Sequence, residues 1–103
     1  MIASKFDTGF ILKSTCRVRI LQKLSTLNEV NIMLLVRLLN STYNEVNRNL
    51  AILEKEGLVT QRYRGKQCLI RLNLENEKTK LLLQIIGLLK INHKEYVQKD
   101  AFP

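Results

Sequence analysis

The chain has 103 residues, of which 46% are hydrophobic and 25% are charged. This length and composition predict one small globular domain with a modest core. The 17 Lys and Arg residues against 9 Asp and Glu give a formal net charge of +8. Such a charge favours a polyanionic partner, nucleic acid before an anionic membrane surface, while a charge that serves only solubility is the alternative.

Membrane and metal sites are not indicated. No apolar run approaches the roughly 18 residues that a membrane span needs, and the N-terminal MIASKFDTGF lacks the apolar core of a signal peptide, so a cytoplasmic protein is expected. Cys16 and Cys68 are too few and too far apart for a disulfide framework or a zinc site, and they are predicted to be buried, reduced thiols. Arg17 and Arg19 beside Cys16 leave a redox-sensing thiolate as an alternative.

The N-terminal half predicts an arm and two helices. Residues 1–13 have weak periodicity and form an N-terminal arm or short helix, packed through Phe6 and Phe10. The segment STCRVRILQKLSTL, residues 14–27, has the apolar spacing of an amphipathic helix. NIMLLVRLL, residues 31–39, predicts a short helix that is apolar on most sides, as is typical of a helix buried between other elements.

The third helix, residues 42–56, has clear start and stop signals. Asn40 tolerates the left-handed backbone of a tight turn before it. Thr42 and Glu45 have the T-x-x-E spacing of a capping box, in which each side chain bonds the other residue's backbone N–H. Gly57 allows the positive φ of a helix stop, and Leu58 supplies the accompanying hydrophobic contact.

A hairpin and a last helix follow. Residues 59–63 and 67–72 predict two strands joined at Gly65, and a helix runs from about residue 76 to residue 92. The expected fold is mainly α with a small β-hairpin (α+β), in the winged helix-turn-helix order of helix, helix, helix, hairpin wing and helix. Residues 14–92 would form this domain with a C-terminal dimerisation helix, and residues 93–103 a tail.

The outward arc of the third helix predicts DNA reading. Asn44 and Asn47 carry amides that can donate to and accept from adenine, and Arg48 carries a fork that fits guanine. Thr42 and Tyr43 stand at the helix N-terminus, where hydroxyls and backbone N–H groups can hold phosphate. The alternative is an ordinary solvated face, although such a face usually has better helix formers than asparagine.

One asparagine does not fit this arc. Asn49 is predicted to face the neighbouring helix or to form a local hydrogen bond.

The hairpin is basic and contains no acidic residue. Arg62, Arg64 and Lys66 are therefore predicted to contact DNA phosphates or the minor groove. The alternative is a charged edge that protects the hairpin from aggregation.

The last helix is predicted to mediate dimerisation, because its apolar arc is wider than packing on one core requires. The alternative is that the N-terminal arm covers this surface within the monomer. The residues assigned to the dimer interface are Leu81, Leu82, Ile85, Ile86, Leu88 and Leu89.

The run EVNIMLLVRLLNSTYNEVNRNLAILEKEGLV resembles the helix-turn-helix core of winged-helix repressors of the ArsR-like and MarR-like groups. The resemblance implies a dimer whose recognition helices enter successive major grooves of a pseudo-palindromic site. Asn31, Met33 and Leu34 stand where metal-sensing members carry a Cys-x-Cys-Asp element, so no metal is expected. The residues that carry the resemblance are Thr42, Val46, Arg48, Leu50, Glu54, Gly57, Leu58 and Val59.

The sequence therefore predicts a homodimeric, sequence-specific double-stranded DNA-binding transcriptional regulator that acts as a repressor. No cofactor or small-molecule ligand is expected. An enzyme is not expected, since His93 is the single histidine and no nucleophile pair or Gly-rich phosphate loop is present. The alternative function is a winged-helix architectural or protein-interaction module.

Overall fold

The computed structural model describes residues 8–87. The predictions for Phe6, Leu88, Leu89, His93 and the tail fall outside this range. None of the helices within it is long and apolar enough to cross a membrane. The elements are α1 (Thr8–Lys13), α2 (Thr15–Thr26), β1 (Val30–Asn31), α3 (Ile32–Leu38), α4 (Tyr43–Lys55), β2 (Val59–Arg64), β3 (Gln67–Leu72) and α5, which is helical from residue 77 to residue 87.

The three strands form one antiparallel sheet in the order β1-β3-β2. The predicted hairpin is present as β2 and β3, with Val59 opposite Leu72, and Gly65 in its turn has a φ of +63°. The two-residue strand β1 was not predicted. It pairs Val30 with Ile70 and so covers the other edge of β3.

The core lies between the helices and one face of this sheet. The apolar positions that predicted α2 and α4 point into it, and α1 adds the buried side chain of Ile11 and the partly buried one of Leu12. Residues 1–13 are predicted to form an arm or a short helix, and the structure has a short helix over Thr8–Lys13 on which Ile11 is 1% exposed. The central buried residues are Ile11, Ile20, Leu21, Leu24, Leu35, Val46, Leu50, Leu53, Ile70, Leu82 and Ile86.

The turn between α3 and α4 fixes where α4 begins. Asn40 has a φ of 52°, the left-handed conformation that was predicted for it. Thr42 Oγ1 accepts a hydrogen bond from the Glu45 N–H at 3.1 Å. The other half of the predicted capping box is wrong, because the Glu45 carboxylate accepts from the Ser41 hydroxyl instead of the Thr42 N–H. The hydrogen bond from Ser41 to Glu45 still connects the turn to the first turn of α4.

The end of α4 follows the prediction. Gly57 has a φ of +80°, and the Leu58 N–H donates to the Leu53 carbonyl at 2.9 Å. Leu58 is fully buried, so the hydrophobic contact of this type of helix stop is present. These contacts set the angle at which the chain leaves α4 and enters β2.

The prediction that α3 is buried on most sides is wrong. Ile32 and Leu35 are buried, but Met33, Leu34 and Leu38 are 58%, 36% and 40% exposed. The helix is short and lies at the surface, so only one of its faces reaches the core. The apolar run of five residues from Ile32 to Val36 cannot by itself distinguish a buried helix from a surface helix with an apolar outer face.

Candidate nucleic-acid interface

The N-terminal half of α4 has the exposed polar face that the sequence predicted. Asn44, Asn47 and Arg48 are exposed, and none of them forms a hydrogen bond or ion pair with another residue of the described range. Their amide and guanidinium groups are therefore free to bind a ligand. Thr42 and Tyr43, at the start of the helix, are also exposed.

Asn49 lies on the buried side of the same helix and is 5% exposed. Its Oδ1 accepts a hydrogen bond from Arg17 Nη1 at 2.9 Å, and its Nδ2 donates to the Glu45 carbonyl, also at 2.9 Å. Both predicted uses of Asn49, toward a neighbouring helix and within its own helix, are confirmed. The amide thus links α4 to α2.

The Arg17 side chain extends this link to α1. It is 8% exposed, its Nη2 donates to the Phe10 carbonyl at 2.8 Å, and its Cζ lies 4.5 Å from the centroid of the Phe10 ring. Arg17 Nε is buried without a hydrogen-bond partner. The guanidinium therefore joins three helices through neutral acceptors and an aromatic ring. We call Arg17, Asn49 and Phe10 the arginine latch.

Cys16 does not have the environment of an activated thiolate. Burial raises the pKa of the Cys16 thiol, and the Glu45 carboxylate adds to the rise. The hydrogen bond with Asn49 and the charges of Arg19 and Arg17 act in the opposite direction, but the net change is upward. The thiol is therefore protonated at neutral pH, and the two arginines do not have the activating effect that the redox alternative required.

The two faces of the wing strand β2 have different surroundings. Val59 is buried, so the alternation of a strand places Gln61 and Tyr63 on the same face, toward α4. Gln61 Nε2 donates to Glu54 Oε1 of α4 at 3.1 Å. Tyr63 is 77% exposed, and the neighbouring Cys68 side chain raises the pKa of its phenol, so its hydroxyl remains a hydrogen-bond donor. Tyr63 was not among the predicted site residues, although strand alternation from the buried Val59 would have placed it on the face toward α4.

The opposite face of β2 carries the predicted arginines. Arg62 Nε donates to Glu29 Oε2 at 2.9 Å and Arg62 Nη2 to Glu29 Oε1 at 3.1 Å. The predicted contact of Arg62 with DNA stays a prediction, and a DNA phosphate would compete with this carboxylate for the guanidinium. Arg64 and Lys66, at the hairpin turn, are exposed and unpaired within residues 8–87.

The residues predicted for dimerisation separate into two groups. Leu82 and Ile86 are 1% and 3% exposed in the core of the protomer itself, so their assignment to a dimer interface is corrected. Their burial accounts for part of the wide apolar arc. Leu81 is 52% exposed and Ile85 is partly exposed, which leaves both side chains accessible from outside.

The positions that metal-sensing relatives of this motif use have other roles here. Asn31 Oδ1 accepts from the Leu34 N–H at 2.8 Å and caps α3, while Met33 and Leu34 are exposed. Within residues 8–87, no three His, Cys, Asp or Glu side chains come together as a metal site would require.

Comparison with known proteins gives matches among solved structures. AntR, an antimony-specific transcriptional repressor, superposes with a TM-score of 0.76 at 16% identity, covering 88% of this chain and 78% of that one. The homodimeric winged helix-turn-helix DNA-binding domain Mb0332 of Mycobacterium bovis, a possible ArsR-family regulator, superposes at 0.66 with 21% identity, covering 89% and 80%. The regulator HlyU of Vibrio vulnificus superposes at 0.55 with 27% identity, covering 69% and 74%. The chain has a winged helix-turn-helix fold.

No family model and no curated protein sequence matches the chain. The predicted fold class and the resemblance to ArsR-like regulators are confirmed by the solved structures at the level of the fold. In the winged helix-turn-helix, α3 and α4 form the helix-turn-helix with α4 as its second helix, and β2 and β3 form the wing. The exposed residues of α4 thus lie on the second helix of the helix-turn-helix, the one that enters the major groove in this motif. Those of the hairpin turn lie at the tip of the wing.

The arginine latch predicts opposite behaviour for two asparagines of α4. Asn49→Ala leaves the buried Arg17 charge without its side-chain acceptor, so we expect a loss of about 2–4 kcal/mol in the free energy of unfolding. Asn47→Ala, the matched control two residues away, should change it by less than about 0.5 kcal/mol because that side chain is exposed. Urea unfolding followed by circular dichroism measures both. Equal effects of the two substitutions would show that the latch contributes no stability.

Proposed function

We propose that the protein is a transcriptional regulator that binds double-stranded DNA sequence-specifically as a homodimer and acts as a repressor. The observation that carries this proposal is the outer face of α4. Asn44, Asn47 and Arg48 are exposed and unpaired within the described range, while the opposite face is locked into the core. A rigid helix that presents amides and a guanidinium is suited to the major groove, where these groups match the edges of adenine and guanine.

The charge distribution around α4 supports the same proposal. Glu45 accepts from Ser41 in the helix cap, and Glu54 accepts from Gln61 of the wing. The acidic groups nearest to the proposed reading face are thus engaged in hydrogen bonds with neutral donors. Arg64 and Lys66 at the hairpin turn would contact the DNA backbone or the minor groove beside α4, and Tyr63 adds a hydroxyl that can donate to phosphate.

The solved structures support a regulatory role without testing it. AntR is described as a transcriptional repressor and Mb0332 as a homodimeric DNA-binding domain. By analogy with these proteins we infer repression and dimerisation for this chain. A symmetric dimer would present two α4 helices to successive major grooves of a pseudo-palindromic site.

A protein-interaction or architectural module is the second candidate, and one observation favours it. Met33, Leu34 and Leu38 expose an apolar face on α3, and an exposed apolar cluster can bind another protein. The two candidates differ in what they require of DNA. A protein-interaction module needs no DNA affinity, and an architectural protein needs affinity without sequence preference.

The test is selection of bound duplexes from a random DNA pool, followed by fluorescence anisotropy over a range of salt concentrations. We expect the selected duplex to bind at least roughly a thousandfold more tightly than random duplex, with affinity that falls steeply with salt. Binding that is indifferent to sequence would favour the architectural candidate. No binding at low salt would refute both DNA-binding roles.

Substitutions on α4 and on the wing should have different signatures. Arg48→Ala or Asn47→Ala should remove roughly 1–3 kcal/mol of preference at particular base pairs. Arg64→Ala should weaken binding to every duplex and reduce the slope of log affinity against log salt by about 0.9. Lys55→Ala, at the far end of α4, is the control that should leave sequence preference unchanged. If Arg48→Ala had no more effect than this control, the proposed reading face would be incorrect.

The dimer proposal has a matched pair of leucines. Leu81 on α5 and Leu74 in the loop before it are 52% and 54% exposed. A glutamate at either position would therefore be solvated in the monomer and should not disturb its fold. Leu81→Glu should shift the protein from dimer to monomer in sedimentation velocity, whereas Leu74→Glu should leave the dimer intact. A wild-type protein that sediments as a monomer at tens of micromolar would contradict the proposal directly.

A further inference from the structure

The ion pair between Glu29 and Arg62 connects two parts of the chain that are far apart in sequence. Glu29 precedes β1 and Arg62 lies on β2, on opposite sides of the central strand β3. Two nearly parallel hydrogen bonds of 2.9 and 3.1 Å join the guanidinium to both carboxylate oxygens. This bidentate arrangement is the strong form of an arginine–carboxylate contact. It remains accessible, since the Arg62 side chain is 59% exposed and that of Glu29 is 24% exposed.

Other arginines share this face of the sheet. Strand alternation and the register of β2 with β3 place Arg64 and Arg71 on the same face as Arg62. The hydrogen bond from Arg62 lowers the pKa of the Glu29 carboxyl, and the charges of Arg62, Arg71 and Arg64 lower it further. The segment from Val59 to Leu72 contains no Asp or Glu. Glu29 is therefore an acidic group brought from outside the wing to its basic face, and its lowered pKa keeps it ionised at neutral pH.

A carboxylate and a phosphate bind the same guanidinium fork. The Nε and Nη2 donors that hold the carboxylate have to release it before they can bind a phosphate. The ion pair as a whole carries no net charge, so its guanidinium displaces fewer counterions from DNA than a free one would. We propose that Glu29 is an internal competitor for DNA phosphate, which withholds Arg62 from the backbone and so lowers the affinity of the wing for all duplexes alike. This inference rests on the proposed DNA binding and adds a residue that limits its strength.

The consequence is a gain of binding when an acidic residue is neutralised. Glu29→Gln keeps the shape of the side chain but removes the charge that holds Arg62. The freed guanidinium should add about one phosphate contact, which steepens the slope of log affinity against log salt by about 0.9 and raises affinity roughly three- to tenfold at low salt. The ratio of affinities for selected and random duplex should not change, since a phosphate contact carries no sequence information.

Two further variants separate this mechanism from a general effect of net charge. Glu77→Gln removes the same charge from another exposed ion pair, in which Glu77 lies 3.6 Å from Lys80, and it should change affinity by less than about twofold if only local charge matters. The double variant Glu29→Gln/Arg62→Gln removes the carboxylate and the guanidinium together. It should lose the gain of Glu29→Gln and return the salt slope to that of the wild type.

The experiment is fluorescence anisotropy of the full chain with selected and random duplexes between about 50 and 200 mM salt, a range over which single phosphate contacts are resolved. Thermal unfolding confirms that each variant is folded, and little change is expected because the pair is exposed. If the wild type binds DNA and Glu29→Gln binds no more tightly, the competitor role is refuted while the DNA-binding proposal stands. An equal gain in Glu77→Gln, or a gain that persists in the double variant, also refutes it. If the wild type binds no duplex, the DNA-binding proposal and the competitor role of Glu29 are both refuted.

Discussion

The position of α4 depends on the buried guanidinium of Arg17. Placing a charge in a protein interior costs several kcal/mol unless hydrogen bonds compensate, and here the compensation comes from Asn49, the Phe10 carbonyl and the Phe10 ring. These acceptors lie on different helices, so the guanidinium keeps both hydrogen bonds only when α1, α2 and α4 have one particular arrangement. Rotation of α4 about its axis would withdraw Asn49 and remove the only side-chain acceptor that Arg17 has within the described residues. The buried side of α4 thus determines which residues face outward.

The asparagines of α4 illustrate how one residue type serves both sides of a helix. Asn49 accepts from Arg17 at Oδ1 and donates to the Glu45 carbonyl from Nδ2, and a partner for each polar atom is what permits an amide in the core. Asn44 and Asn47 are exposed, so water satisfies their amides until a ligand does. Asparagine lowers helix propensity at all three positions. At Asn49 the buried hydrogen bonds offset this cost, whereas at Asn44 and Asn47 folding alone provides no compensation.

Local signals made most of the fold predictable, and long-range contacts account for most of what was missed. The Thr42 cap and the stop at Gly57 are encoded within a few residues, and the structure has both. Strand β1 has only two residues and exists because β3, some forty positions away, offers an edge. Arginine is usually exposed, so nothing in the sequence marked Arg17 as buried. The pairing of Glu29 with Arg62 likewise depends on the order of strands in the sheet.

Strand alternation gives the wing two faces with separate roles. On the face toward α4, Val59 packs in the core and the Gln61 amide donates to the Glu54 carboxylate, so the wing and α4 are held together without any of the wing's basic residues. On the other face, Arg62 is held by Glu29. The orientation of the wing is therefore set independently of its charge. A change in Glu29 or Arg62 can alter how strongly the wing attracts an anion without moving α4, because the contacts that position α4 lie on the opposite side of the sheet.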